Sequence, residues 1–242
     1  MNYLKKILFA HLIIIISLLL YSCGTKHFIR ADVIYKDDNF SYNHLIKNAV
    51  VVGGIASQKI IITNNERSQY SSLLSTILIE QLSDVHIIDT SQLMNEIGKE
   101  NYFSIMKNFV VEQMLTNEDM QIIRESMPEI AYIILAYIEN ESTSNESYTE
   151  NTADDHGKYK TVYKTTRSLA VEFQIYDVLE EKLVWSNIIY NETVKTNSRT
   201  DDNFLGVVVG DVISGAFVTI DREDMLEEIY EKFAEDLVKI QN

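Results

Sequence analysis

The sequence RSLAVEFQIYDVLEEKLVWS, at 167–186, alternates apolar and polar side chains on both sides of a short polar segment. Successive side chains of a β-strand point to opposite faces of the sheet, so this alternation predicts two strands that each bury one face. Because only a few polar residues separate the two strands, we predict an antiparallel hairpin at about 163–194. Its buried face comprises Leu169, Val171, Phe173 and Ile175, then Leu183, Trp185 and Ile189.

Strands and helices are also predicted before this hairpin. An apolar run after Asn48 predicts a buried strand that ends at Gly53-Gly54, and VHIID at 85–89 predicts a second short strand. Thr90 or Ser91 can cap the helix that comes next. Between the two strands, apolar residues at helical spacing predict a helix over 66–82, with one face formed by Tyr70, Leu73, Leu74, Ile77, Leu78 and Leu82.

The remaining pattern completes an α/β chain. Helical sequence over 103–127 contains a second start at Thr116, and AYIILAYIE from Ala131 predicts a third buried strand. Asp221 can cap a closing amphipathic helix. We therefore predict the order β-α-β-α-α-β-β-β-α, a mixed sheet flanked by helices in a single domain.

The N-terminus has the layout of a bacterial export signal. Lys5 and Lys6 precede an apolar stretch that ends at Leu20, and Tyr21, Ser22 and Cys23 come next. The stretch is shorter than the roughly 20 residues of a spanning helix, so we expect cleavage. The sequence Leu-Tyr-Ser-Cys resembles the lipobox of bacterial lipoproteins, although Tyr21 is bulkier than the usual residue.

Cys23 is the only cysteine of the chain. A free cysteine is often an ordinary buried residue, but its position at the end of an export signal favours lipid attachment (diacylglyceryl and acyl chains such as palmitate). Several acyl chains on Cys23 would hold the protein on a membrane. In the sorting rule that this resemblance implies, Gly24 permits transfer to the outer membrane. We expect a lipid-anchored protein facing the periplasm.

Length and charge bound the organisation and the partners. We predict a signal peptide at 1–22, a lipidated N-terminus and tether at 23–45, and one α/β domain at 46–242. Within that domain, a polar stretch at about 139–160 predicts a disordered insertion. Removal of the signal takes away Lys5 and Lys6 and no acidic residue, so the net charge changes from −15 to −17. Nucleic acid is a poor partner for such a chain.

The hairpin sequence resembles that of a known group of bacterial envelope proteins. Asp177 and the Val184-Trp185-Ser186 sequence match the hairpin of the α/β domain shared by the curli-secretion (CsgG-like) lipoproteins, the LpoB-like activators of penicillin-binding proteins and the TolB N-terminal domain. The family usually has glycine in the turn, where this chain has Glu180-Glu181, so we expect a longer or differently shaped turn. The resemblance implies an envelope protein of this α/β fold.

The sequence contains no recognisable motif for a catalytic site or a metal site. Asp154, Asp155 and His156 could contact a cation, but a zinc site needs three or four positioned ligands, which favours a solvated loop. Gly53-Gly54 lacks the continuation of a phosphate-binding loop and is expected to form a turn. Tyrosines near the hairpin could stack on sugar rings, but tyrosine is also common in half-buried strands without any ligand. We expect no enzyme activity, no cofactor and no metal.

One apolar segment, 204–220, remains as a candidate partner surface, represented by Phe204, Val208 and Phe217. It can pack on its own sheet, or form a flap that binds a partner or touches a membrane. Asp211 makes a membrane span costly.

Two functions are compatible with these features. The first is a lipid-anchored periplasmic adaptor or scaffold that binds another envelope protein, such as a cell-wall synthase or a secretion component. The alternative is a subunit of an oligomeric curli-type secretion channel in the outer membrane. The polar insertion is unsuited to lipid, which favours the adaptor. A homo-oligomer is compatible with both functions.

Overall fold

The computed structural model describes residues 24–151, 159–201 and 218–240. Within these ranges the chain forms six strands and six helices. The strands are β1 (Gly24–Lys36), β2 (Ala49–Ala56), β3 (His86–Ile88), β4 (Ile130–Asn151), β5 (Tyr159–Asp177) and β6 (Lys182–Asp201). The helices are α1 (Tyr42–Lys47), α2 (Asn64–Gln81), α3 (Thr90–Ile97), α4 (Lys99–Glu112), α5 (Asn117–Ser126) and α6 (Arg222–Val238).

The strands form one mixed sheet in the order β1-β6-β5-β4-β2-β3. Strand β2 runs parallel to both β3 and β4. Four residues connect β5 to β6, and so short a connection requires the antiparallel arrangement. The predicted mixed sheet with flanking helices and the predicted hairpin are confirmed.

Strand β2 does not end at its two glycines, contrary to the sequence prediction. It continues to Ala56, and its register with β4 shifts between Val52 and Gly54, which is the sign of a β-bulge. Gly54 has a φ of +123°, a conformation that side chains with a Cβ rarely adopt. The glycines therefore serve a bulge inside the strand and not a terminal turn.

Helices α3, α4 and α5 cover one face of the sheet. Their buried residues, which include Leu93, Phe109 and Ile123, pack in one cluster with Val51 and Ile133 of the central strands. Burial of such side chains is the main favourable contribution to folding, at roughly 25 cal/mol per Å² of apolar surface.

Helix α6 packs against strands β5 and β6. The ring of Phe233 is stacked on that of Phe173 at 3.9 Å and lies 5.8 Å from that of Trp185. Trp185 is 1% exposed, so the prediction that it is a core residue is confirmed. Helix α6 also contacts α2.

The chain divides into two compact units. The larger, here called the α/β unit, comprises the described residues of 28–142, 168–191 and 221–240. The smaller, here called the strand-end unit, comprises the described residues of 24–27, 143–151, 159–167, 192–201 and 218–220.

The structure differs from the sequence prediction in the segment interpreted as a tether. Residues 24–36 form β1 at the edge of the sheet, and 42–47 form α1. Described side chains of β1 are exposed apart from Ala31, which is partly buried. A strand that buries neither face has no reason to alternate apolar and polar residues, so the pattern could not reveal it.

The predicted disordered insertion differs as well, over the part that is described. Residues 139–151 continue β4, and 152–158 lie outside the described residues. Polar pairs link β4 to β5 within the strand-end unit: Thr149 Oγ1 is 3.3 Å from Thr161 Oγ1, and Glu146 pairs with Lys164 at 3.6 Å. Such cross-strand pairs stabilise a strand whose own side chains are mostly polar.

Helix starts agree with the predicted caps, with one change. Thr116 forms a capping box with Asp119, and the Asp221 side chain accepts from Glu223 N–H, as expected. For α3 the cap is Asp89, because its carboxylate accepts from the N–H groups of Ser91 and Gln92. Neither Thr90 nor Ser91 takes that position.

Candidate functional site

The residues singled out from the sequence as lipid site and partner surface lie outside the described residues. They are Leu20, Tyr21, Ser22 and Cys23 at the N-terminus, and Phe204, Val208 and Phe217 in the apolar segment. The possible cation ligands at 154–156 lie outside them too. These assignments stay predictions.

An apolar surface on β1 is one candidate for partner binding. We call it the β1 surface; it consists of Phe28 and Ile34 on one face of the strand and Ile29, Val33 and Tyr35 on the other, with exposed fractions of 58%, 58%, 41%, 63% and 43%. An edge strand also presents backbone N–H and C=O groups on its outer side. An apolar edge of this kind is a site where another strand can be added.

Polar contacts hold β1 against β6 within the α/β unit. Asp37 donates its N–H to Val184 O at 2.9 Å, and its carboxylate pairs with Lys182 Nζ at 2.9 Å. That lysine, together with the Asn39 N–H, holds the pKa of Asp37 below its usual value. The Arg30 guanidinium lies 4.6 Å above the ring centroid of Tyr190. These contacts fix the strand while its apolar side chains stay exposed.

A pocket of about 500 Å³ lies between α2, α3 and α4 in the α/β unit. We call this cavity the Arg67 pocket. Strand β2 continues beyond the end of β3, because the last residue pair between them joins Val51 to Ile88. Hydroxyl side chains form one wall, and the other lining residues include Arg67, Asp89, Met94, Lys99, Tyr102 and Phe103.

Two side chains that line the Arg67 pocket each carry a buried polar atom without a hydrogen-bond partner among the described residues. Arg67 Nε and Ser71 Oγ have no hydrogen-bond partner among the described residues, and Ser71 is only 2% exposed. A Cβ on Gly54 would lie 2.7 Å from Tyr102 Oη and 3.2 Å from Ser71 Oγ, so the glycine makes room for both hydroxyls. Native proteins rarely leave buried polar groups unpaired.

Charges of both signs line the pocket. Hydrogen bonds from the Ser91 hydroxyl and the Gln92 N–H lower the pKa of Asp89, so its carboxylate is ionised at neutral pH. Burial raises the pKa of Tyr102 to about 12, while the charge of Arg67 acts in the opposite direction. Tyr102 is therefore a neutral hydroxyl near a cation.

The pocket was not predicted from the sequence, although a signal was present. Ser68, Ser71, Ser72, Ser75 and Thr76 recur at helical spacing along α2, beside the apolar stripe of the same helix. A row of small hydroxyls on one helix face leaves space next to a neighbouring helix.

The tyrosines near the hairpin do not form one group. Tyr163 and Tyr176 are buried, whereas Tyr148 and Tyr190 are exposed. In the described part of the chain, no group of three or more His, Cys, Asp or Glu residues could hold a metal ion. None of the described helices has the length and apolar character that crossing a membrane requires.

No protein-family model and no curated protein matches the sequence. Solved structures that are similar include a PelC dodecamer from Paraburkholderia phytofirmans, at 13% identity and a TM-score of 0.37, covering 90% of this chain and 100% of that one. Lipoprotein GNA1162 from Neisseria meningitidis matches at 11% identity and a TM-score of 0.31, covering 69% and 95%.

The LpoB C-terminal domain from Salmonella enterica matches at 9% identity and a TM-score of 0.28, covering 67% of this chain and 96% of that one. At these scores the similarities carry no functional argument.

Proposed function

We propose that this protein is a lipid-anchored adaptor of the bacterial cell envelope that binds another envelope protein through the β1 surface. The observation that carries the proposal is an edge strand with five large exposed apolar side chains. Exposure of large apolar side chains to water is unfavourable. A strand added from a partner would form hydrogen bonds with the backbone groups of this edge and cover its side chains. The predicted lipid site, Cys23, immediately precedes this strand.

The proposed arrangement gives each part a role. Acyl chains on Cys23 hold the protein on the membrane. Under the sorting rule that the lipobox resemblance implies, Gly24 after the cysteine permits transfer to the outer membrane. The β1 surface then faces partners close to the bilayer. The chain itself supplies no catalytic step in this proposal. The apolar segment with Phe204, Val208 and Phe217 is a second contact for the same partner.

The binding site is tested with a photo-crosslinking amino acid placed at residue 33 in living cells. We expect a discrete crosslinked product with one envelope protein, and loss of that product when Tyr35→Asp is introduced, because residue 35 lies on the same face of β1 as the crosslinker. A crosslinker at residue 111 is the matched control, since Val111 on α4 is 60% exposed and Val33 is 63% exposed. Products only with a second copy of this chain would replace the adaptor by a homo-oligomer.

The anchor is tested separately. Cys23→Ala should abolish labelling by a radioactive fatty acid and release the protein from membranes, because the acyl chains supply about 0.8 kcal/mol per buried CH₂. Undiminished label would contradict lipidation at Cys23. Density fractionation of the wild type distinguishes the membranes, and recovery only in inner membranes would contradict the outer-membrane location.

A further inference from the structure

The Arg67 pocket has the dimensions of a small-molecule site. Its volume of about 500 Å³ lies within the range of roughly 300–1,000 Å³ that ligand pockets occupy. It shares no residue with the β1 surface, so a ligand in this pocket does not depend on the proposed partner binding.

The unused donors indicate what the pocket can bind. A buried hydroxyl or guanidinium N–H without a partner destabilises a protein, and a ligand that accepts hydrogen bonds from both removes that cost. Ser71 Oγ and Arg67 Nε are both in this state among the described residues. Arginine presents N–H groups in a planar fork that fits a carboxylate with two parallel hydrogen bonds.

The start of α3 does not supply the anion site. Its cap, Asp89, accepts from the N–H groups of Ser91 and Gln92 at 2.7 and 2.9 Å, so these backbone donors are occupied. The positive contribution to the pocket comes from side chains, namely Arg67 and, at an exposed position, Lys99.

We propose that the Arg67 pocket binds a small organic monocarboxylate whose carboxylate contacts Arg67 and Ser71 and whose apolar body packs on Met94 and Phe103. The ionised Asp89 in the same lining opposes a doubly charged ligand such as a phosphate monoester. The hydroxyl row of α2 can bond polar groups elsewhere on the ligand.

Calorimetric titration of the full chain, purified in detergent, tests the class of ligand with three probes. Benzoate combines a carboxylate with a ring, and we expect a Kd on the order of 1 mM for a fragment of that size. Benzyl alcohol, which lacks the charge, and inorganic phosphate, which lacks the apolar body, should bind at least tenfold more weakly. The proposal would be overturned if phosphate bound more tightly than benzoate, or if benzyl alcohol bound as tightly as benzoate. It would also be overturned if the titration with benzoate gave no heat of binding.

Two variants and a control assign the residues. Arg67→Gln should weaken benzoate binding at least tenfold, whereas Arg124→Gln, which removes an arginine on α5 outside the pocket, should leave it unchanged. Ser71→Ala should weaken binding several-fold and also raise the unfolding temperature of the ligand-free protein, because it removes an unpaired buried hydroxyl. Equal losses for Arg67→Gln and Arg124→Gln, or full binding by both pocket variants, would refute the assignment.

Discussion

Arg222, the first residue of α6, forms a two-pronged ion pair with Glu141 of β4. Its Nη2 and Nε lie 2.9 and 3.1 Å from Glu141 Oε2, and its Nη1 lies 3.2 Å from Glu66 Oε1 on α2. The side chains of Arg222 and Glu141 are 17% and 10% exposed, which limits screening by water. One guanidinium thus joins the starts of two helices to a central strand.

Arg222→Met should lower the free energy of unfolding by about 2 kcal/mol, because it removes the guanidinium that pairs with the largely buried Glu141. Chemical denaturation measures the loss. Lys239→Met is the control: its ion pairs with Glu235 and Asp236 involve a lysine that is 63% exposed, and such surface pairs contribute at most about 1 kcal/mol. Equal effects of the two variants would show that Arg222 is no more important than a surface charge.

The same cluster predicts a pH dependence through Glu66. Hydrogen bonds from the Thr63 N–H and hydroxyl, together with the charge of Arg222, hold the pKa of Glu66 below its ordinary value of 4.5. A lowered pKa contributes stability above that value, and the contribution is lost as the pH falls through the folded-state pKa. The difference in free energy of unfolding between the wild type and Glu66→Gln should therefore be constant near neutral pH and become smaller in acid.

Glu172 provides a comparison of opposite sign. Burial raises its pKa above 4.5, despite a hydrogen bond from Gln174 that acts the other way. A raised pKa contributes stability below the unfolded-state value and loses it as the pH rises through the folded-state value. Relative to the wild type, Glu172→Gln should thus gain stability as the pH rises, and denaturation curves at several pH values would show whether the two variants diverge.

Trp185→Ala should cost about 3–5 kcal/mol, the range for truncation of a large buried aromatic side chain. Its ring lies among buried residues beside Phe233 of α6. For a chain of this size the unfolding temperature would fall by roughly ten degrees. Wild-type stability combined with lost partner binding would mean that the indole contacts a ligand instead of the core.

Elements are predictable from the sequence where burial or capping imposes a pattern. The period-two alternation around Trp185 and the cap at Thr116 both reflect contacts that the structure contains. Strand β1 buries neither face, and the part of β4 at 139–151 is held by polar cross-strand pairs. Neither stretch therefore shows alternating apolar and polar residues. The Arg67 pocket depends on how three helices meet, which no single stretch of sequence encodes.

The turn between β5 and β6 forms without a glycine. Asp177 Oδ1 accepts from the N–H groups of Leu179 and Glu180, both at 2.9 Å, which closes the turn. Glu181 then adopts a φ of +53°, the left-handed conformation that favours glycine. Its carboxylate pairs with Arg124 on α5 at 2.8 Å.

Two substitutions at residue 181 separate the backbone from the ion pair. Both Glu181→Gly and Glu181→Ala remove the carboxylate, but only glycine adopts the left-handed conformation without a steric cost of about 1 kcal/mol. Glu181→Gly should therefore be more stable than Glu181→Ala by about that amount in chemical denaturation. The ion pair is partly exposed and contributes at most about 1 kcal/mol, so Glu181→Gly should stay close to the wild type. If the alanine variant matched the glycine variant, the turn would have relaxed to a conformation without positive φ.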